Sequence, residues 1–330
     1  MVRIASLSFD ARQLYPTVRV RYRGSVAARP TVSWRKVVIA ILGLFALLAV
    51  AGASYQAIAN RVDAGRYPEP GRLVDIGGFR LNLNCSGKGS PTVILEAGLG
   101  DFMGEWSRVQ PEIAKFTRVC SYDRAGYGGS DPGPMPRTSS RIVEELHRLL
   151  QSAGEPRPYL LVGSSFGGYN VRVFNGKYPN EVAGLLLVDA TQEDQYSLLP
   201  KAWQTISKEM LERWRSQAGW SSLYIDFGVA RMLLRLRGLR PSRLVLQSKY
   251  LKARASELEQ IQVSAAQARA AGTLGDKPLL VLTAGKITDP SLRGGLSASD
   301  FDRFENTWVN DLQMRLMRLS SRGCADGGAR

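Results

Sequence analysis

The most apolar part of the chain lies near its N-terminus. The stretch VVIAILGLFALLAVAGASYQAIAN, residues 37–60, contains no charged side chain. A helix needs about 20 apolar residues to cross the hydrocarbon core of a bilayer, so we predict a transmembrane helix over residues 37–58. We expect an uncleaved signal anchor; cleavage as a signal peptide after the small residues 51–53 is the alternative.

The next part of the chain alternates between strand-like and helix-like patterns. A polar, Pro- and Gly-rich linker over residues 59–72 precedes two short alternating runs around Gly77 and Gly78, which predict a β-hairpin. Ser139–Ala153 has the apolar spacing of a helix. Apolar, strand-like runs occupy residues 91–98, 117–126, 159–163 and 182–190. This alternation predicts an α/β fold, a mostly parallel sheet with helices on both faces, whose first part is residues 73–190.

The pattern becomes helical between residues 191 and 276. Charged and apolar residues alternate there at helical spacing, and Trp203, Trp214 and Trp220 are among them. We predict a helical cap of three or four helices that overhangs the functional site, with these tryptophans as candidate lining.

The last part of the chain, residues 277–330, begins with the strand-like run KPLLVLTAG. One final amphipathic helix is predicted after it. Ser299, three residues before Asp302, predicts its start, and Gly323 predicts its end as the residue after the C-cap.

Positive charge is concentrated at the N-terminus. The chain has a formal net charge of +15, and residues 1–36 carry eight Lys or Arg against one acid, Asp10. Nucleic-acid binding would explain a basic arm, but the adjoining apolar stretch explains it better, and we predict no nucleic-acid partner. Basic residues before a spanning helix predict a cytoplasmic arm over residues 1–36. We therefore expect a single-pass protein of the cell membrane with its main domain on the extracytoplasmic side.

One motif points to chemistry. In LLVGSSFGGYN, Gly163, Ser165 and Gly167 form G-x-S-x-G directly after a strand-like run, which is typical of a nucleophilic serine on a strand-to-helix turn. Such a serine needs a base to take its proton. The only histidine among the 330 residues is His147, in the helix predicted before this strand.

The order of four segments, LEAGLGD, YDRAGYGGSDPGP, VGSSFGG and LLLVDA, resembles the α/β-hydrolase superfamily over about residues 72–319. The sequence is most similar to membrane-anchored or secreted hydrolases of unassigned substrate. The resemblance implies an esterase or lipase type of acyl hydrolysis with Ser165 as nucleophile. The backbone N–H groups of Leu99 and Phe166 would form the oxyanion hole. The resemblance implies a small apolar ester-type substrate or ligand, and we expect neither a cofactor nor a metal. Ser164 stands where many relatives carry histidine.

The resemblance also implies a catalytic acid and a histidine after it in the chain. Asp289 in GKITDP is the expected acid, and Asp189 is the alternative. His147 precedes both and lies in the wrong element. The tail GCADGGAR lacks the apolar strand expected there. We therefore expect the last strand and helix to be missing, together with the catalytic histidine, and activity to be low. Two alternatives stay open: a non-catalytic relative that binds an apolar ligand or a protein partner, and an enzyme with an unusual base.

The chain has three cysteines, Cys85, Cys120 and Cys324, and no C-x-x-C or Cys/His cluster that would predict a metal site. In the strand order of the α/β-hydrolase superfamily, the strand with Cys85 lies beside the strand with Cys120. A disulfide and two buried free thiols are both compatible with that placement.

Overall fold

The computed structural model describes residues 33–66, 69–239, 246–284 and 295–327. Eight described strands form one sheet: β1 (Arg72–Asp75), β2 (Arg80–Ser86), β3 (Thr92–Glu96), β4 (Val119–Tyr122), β5 (Tyr159–Ser164), β6 (Val182–Val188), β7 (Leu279–Thr283) and β8 (Gly323–Gly327). The described α-helices are α1 (Trp34–Arg66), α2 (Gln110–Ile113), α3 (Ser139–Ala153), α4 (Gly167–Lys177), α5 (Gln195–Leu198), α6 (Lys201–Tyr224), α7 (Val229–Leu236), α8 (Ser248–Glu259), α9 (Ile261–Ala270), α10 (Ala298–Thr307) and α11 (Met314–Met317).

Helix α1 is the one described helix that is long and apolar enough to cross a membrane, by its length and composition. It continues to Arg66, through part of the segment that the sequence predicts as a linker. The chain divides into two compact units between Leu47 and Leu48, within this helix.

The sheet has the order β1-β2-β4-β3-β5-β6-β7-β8. The hairpin of β1 and β2 is antiparallel, as is the pairing of β2 with β4, and the other neighbours are parallel. Successive side chains of β3 enter separate hydrophobic clusters, with Ile94 in one and Val93 and Leu95 in the other. Because alternate side chains point to opposite faces of a sheet, both faces are covered. The predicted mostly parallel sheet is confirmed.

The described residues between β6 and β7 contain helices and connecting turns and no strand. Helix α6 packs against α8, whereas α9 packs against α3 and α4 on the sheet. The segment from α5 to α8 therefore adds a helical layer outside the sheet, and we call it the cap.

The C-terminal part differs from the sequence-based prediction. The final helix begins after Ser297, whose hydroxyl accepts from the Asp300 N–H, and not after Ser299. A π-helix, Trp308–Gln313, interrupts it, and it ends at Met317. Gly323 is therefore not a residue of the helix end.

The prediction that the last strand is missing is wrong, because the backbone of Gly323–Gly327 pairs in parallel with β7. Backbone hydrogen bonds form the ladder, so an apolar sequence is not required. Close packing favours small residues there: a Cβ added at Gly323 would lie 2.0 Å from the carbonyl oxygen of Met317.

Cys85 and Cys120 form a disulfide between β2 and β4, where they are directly opposed. Of the two arrangements compatible with the sequence, the structure has the bonded one. It links residues that are 35 positions apart.

Replacing both cysteines by serine is expected to lower the free energy of unfolding by ~4 kcal/mol. The reason is that the unfolded chain gains conformational entropy when a loop of this length is no longer closed. Thermal unfolding with and without reductant measures the effect. Cys324→Ser, at the exposed free cysteine, is the matched control. An unchanged unfolding midpoint after reduction of the wild type would contradict the prediction.

Candidate active site

Ser165 lies on the turn between β5 and α4. Its φ of +48° is in the left-handed region, which side chains other than glycine rarely adopt. Hydrogen bonds hold this conformation: the Ser165 N–H donates to the carbonyl of Val188, and the Ser165 carbonyl accepts from the N–H groups of Gly168 and Thr191. A strained residue that its surroundings hold in place is common at active sites.

The glycines around Ser165 are required by close approach. A Cβ at Gly163 would lie 2.7 Å from the carbonyl oxygen of Gly167, and one at Gly168 would lie 2.6 Å from Cβ of Ala190. Any side chain at these positions would therefore push α4 away from the strands β5 and β6.

The loop after β3 lies against the serine. A Cβ at Gly98 would be 3.4 Å from Cβ of Ser165. Leu99 in this loop and Phe166 after the serine both line the same cavity as Ser165. Neither of their backbone N–H groups has a hydrogen-bond acceptor among the described residues. Two such amides beside a serine are suited to bind an oxyanion.

Arg124, two residues after the end of β4, supports this loop. Its guanidinium donates to the carbonyls of Ala97 (2.8 Å) and Gly98 (2.7 Å). The same group is paired with Glu96 of β3 and with Glu257 of α8, and all three charged side chains are buried. Burial alone would lower the pKa of Arg124, but the two carboxylates raise it, so the arginine stays charged. One ion-pair network thus connects the loop, the sheet and the cap.

Two further carboxylates lie beside the loop. Glu105 accepts from the Gly98 N–H (3.3 Å) and from the hydroxyl of Ser164 (3.0 Å). A Cβ at Gly98 would lie 3.0 Å from Oδ2 of Asp101. Burial raises the pKa of both Asp101 and Glu105.

Ser165 opens into a cavity of about 300 Å³. One wall is a chain of aromatic rings: Tyr196 and Trp203 are 5.1 Å apart between centroids, Trp203 and Phe304 6.4 Å, and Phe304 and Trp308 5.8 Å. Met210 of α6 and Leu258 of α8 complete an apolar lining from the cap. This space fits an apolar group attached to a carbonyl at Ser165.

Of the three tryptophans considered from the sequence, only Trp203 lines this cavity. The ring of Trp214 stacks with the guanidinium of Arg254 at 4.0 Å. Trp220 is 63% exposed.

Asp189 follows β6 and also lines the cavity. It has a positive φ of +44°, and its Oδ1 accepts from the indole N–H of Trp308 at 2.7 Å. Asp289, the expected acid, lies outside the described residues.

His147 is remote from the cavity. It stacks on Tyr178 with 3.7 Å between ring centroids, and its Nε2 is 3.2 Å from Oε1 of Glu181. Tyr178 follows the C-terminal end of α4, whereas Ser165 precedes the N-terminal end. The 11 residues of that helix span about 16 Å. His147 therefore cannot reach the proton of Ser165.

Among the described residues, Cys85, Cys120 and Glu155 are the one group whose potential metal-ligating atoms lie within 4.8 Å of one another. The two sulfur atoms are bonded to each other, and Glu155 is paired with Arg118. These contacts explain the cluster without a metal ion.

Sequence reasoning missed the roles of Arg124, Glu105 and Glu257. Arg124 stands inside the segment YDRAGYGGSDPGP, whose position after a strand could have indicated it. Glu257 gave no signal, because nothing in the helical pattern of the cap distinguishes it from its neighbours.

The sequence profile described as the alpha/beta hydrolase fold matches residues 91–285, which is more than half of the chain. The chain belongs to the α/β-hydrolase family. The expected family and fold class are thus confirmed. The structure of the enol-lactonase from Burkholderia xenovorans LB400 is similar in fold, with a TM-score of 0.51, 16% identity, and coverage of 78% of this chain and 90% of that chain.

Two curated proteins show the extent of sequence similarity within the family. The 2-hydroxymuconate semialdehyde hydrolase of Pseudomonas sp. strain CF600 is 34% identical over 125 residues, 37% of this chain and 44% of that protein. A vacuolar membrane protein of Saccharomyces cerevisiae strain YJM789 is 32% identical over 134 residues, 35% of this chain and 21% of that protein. Across several curated relatives, the chain spans between a fifth and about half of the relative's length.

Proposed function

We propose that this α/β hydrolase cleaves small-molecule esters with an apolar acyl group, through Ser165 as the nucleophile. The observation that carries the proposal is the position of Ser165 on a strained turn, at an aromatic-lined cavity and beside two amides that have no acceptor within the described part of the chain. Membership of the family supports hydrolase chemistry in general. Esterase or lipase specificity is our inference from the apolar lining.

In the proposed reaction, Oγ of Ser165 attacks the ester carbonyl carbon and loses its proton, and the alcohol leaves with a proton. Water then cleaves the acyl-serine, which releases the carboxylic acid and restores the hydroxyl. The N–H groups of Leu99 and Phe166 stabilise the oxyanion in both steps, an effect worth roughly 3–4 kcal/mol for one donor.

We propose Asp289 as the catalytic acid and keep Asp189 as the alternative. Asp289 follows β7 in the chain, and this position supports its role as the acid. The lining position of Asp189 supports the alternative, although its bond with Trp308 already occupies one oxygen.

We propose that no histidine of this chain acts as the general base. His147 is about one helix length from Ser165, and the 330 residues contain no other histidine. We therefore propose that activated esters acylate Ser165, because their leaving group needs little assistance, and that deacylation by unassisted water is slow.

Mass spectrometry of the full chain after brief exposure to p-nitrophenyl butyrate tests this function. We expect one butyryl group on the tryptic peptide that contains Ser165. Ser165→Ala removes the adduct, whereas Ser164→Ala, at the adjacent serine, retains it. Absence of any adduct in the wild type would favour the non-catalytic alternative, a protein that binds an apolar ligand.

We further propose that α1 anchors the protein in the cell membrane as a single span, with residues 1–36 cytoplasmic and the hydrolase fold extracytoplasmic. The basic arm and the Cys85–Cys120 disulfide, which an oxidising compartment favours, support this orientation. Protease added outside spheroplasts is expected to degrade the hydrolase fold. Full protection of that fold, with degradation after lysis, would reverse the orientation.

A further inference from the structure

The C-terminal part of α1 is docked to the cap along one helix face. A Cβ at Gly52 would lie 2.3 Å from the carbonyl oxygen of Phe227, so the turn before α7 crosses α1 in close contact. Arg231 of α7 is buried, and it donates to the side chains of Gln56, Asn60 and Asp63. The positions 52, 56, 60 and 63 recur every three or four residues and therefore share a face.

This contact lies where α1 would leave a bilayer. The uncharged stretch begins at Val37, and about 20 helical residues cross the hydrocarbon core, which brings the helix to about Gln56. The contact from Gly52 to Asp63 therefore extends on both sides of the expected membrane boundary. If the span began later in the stretch, the contact would lie still deeper.

The docked region of the cap exposes a group of apolar side chains at its surface. Leu236, at the end of α7, is 77% exposed. The other exposed apolar residues of this region are Trp220, Leu223, Phe227, Val229, Met232, Leu233 and Leu239. We call these residues, with Leu236, the cap apolar surface. A surface of this kind marks an interaction site with a membrane or a protein.

The charges of the same region fit a membrane surface. Arg235 and Arg237 are exposed within and directly after α7. Arg235 also contacts Tyr55 of α1, with its guanidinium 5.8 Å from the ring centroid. Apolar side chains combined with arginine are typical of helices that lie in the headgroup region of a bilayer.

We propose that the cap apolar surface inserts into the headgroup and acyl boundary of the bilayer that α1 spans. Arg231 fixes α7 to α1 at this depth. The cap that lines the Ser165 cavity is thereby held at the lipid surface, so apolar substrates can enter from the membrane. The proposal rests on α1 being a membrane span.

Environment-sensitive fluorophores on single cysteines test the proposal. The full chain with Cys324→Ser leaves the disulfide as the only other cysteines, and one cysteine is introduced by Leu236→Cys, Leu44→Cys or Phe116→Cys. Phe116 is the matched control, because it is an exposed apolar residue (74%) before β4, at the opposite end of the strands from Ser165. Each labelled protein is reconstituted into phosphatidylcholine vesicles with bromine either near the headgroups or near the bilayer centre.

We expect the label at position 236 to emit at shorter wavelength and to be quenched most by bromine near the headgroups. The label at position 44 should be quenched most by bromine near the centre, and the label at position 116 only by iodide in water. Quenching at 44 without quenching at 236 would overturn the proposal but not the membrane span. Loss of quenching at 44 would overturn both. A label at 236 that is shielded from iodide but not quenched by bromine would indicate a protein on this surface and would also overturn the proposal.

Discussion

Imidazole added to the buffer is expected to accelerate ester hydrolysis at Ser165 by ~10²-fold, the lower end of what general acid–base catalysis contributes. The physical reason is that imidazole can enter the cavity and take the proton of the attacking water, whereas His147 is held against Tyr178 and Glu181. Steady-state release of p-nitrophenol as a function of imidazole concentration and pH measures the effect. The rate should follow the neutral form of imidazole.

Two variants separate this explanation from others. Ser165→Ala should lower both the basal and the imidazole-dependent rates to the rates measured without protein, whereas His147→Ala should leave both unchanged, because His147 contacts Tyr178 and Glu181 far from the serine. A robust rate without imidazole that is lost in Asp101→Asn would contradict the prediction. It would identify the carboxylate beside Gly98 as the unusual base, a role that its raised pKa would favour.

Arg124→Met is expected to lower the free energy of unfolding by ~3–5 kcal/mol, because it leaves Glu96 and Glu257 buried without their cation. It also removes the donors to the carbonyls of Ala97 and Gly98, so the loop that carries the Leu99 amide loses its support. Urea unfolding measures the free energy of unfolding. The rate of Ser165 acylation reports whether the loop still positions the Leu99 amide.

Arg215→Met is the matched control, since it removes an arginine from a pair with Glu259 in which both side chains are about half exposed. Such a surface pair contributes ~1 kcal/mol or less. If both variants lost the same free energy of unfolding, Arg124 would not be the centre of the ion-pair network. Arg124→Lys should restore part of the stability but less of the acylation rate, because lysine cannot serve two carboxylates and two carbonyls together.

Helix α3 and the turn at Ser165 could be predicted from the sequence because their determinants are local. Ser139–Ala153 has apolar residues at helical spacing, a capping Thr138 before it and Gly154 in the left-handed conformation after it. The glycines next to Ser165 likewise act on the chain within a few positions. The strand at Gly323–Gly327 was missed because its pairing with β7, rather than its composition, makes it a strand.

The sequence by itself predicted the family, the mostly parallel sheet and the apolar helix, and it singled out Ser165 as the candidate nucleophile, because motif and periodicity are properties of neighbouring residues. Only the tertiary structure decided that Cys85 is bonded to Cys120, that His147 is remote from the serine and that Arg124 pairs with Glu257. Arg124 and Glu257 are 133 positions apart, and the docking of Arg231 on Asp63 spans 168. Such contacts depend on how packed elements exclude water from charged groups, and no local pattern records which distant partner compensates each charge.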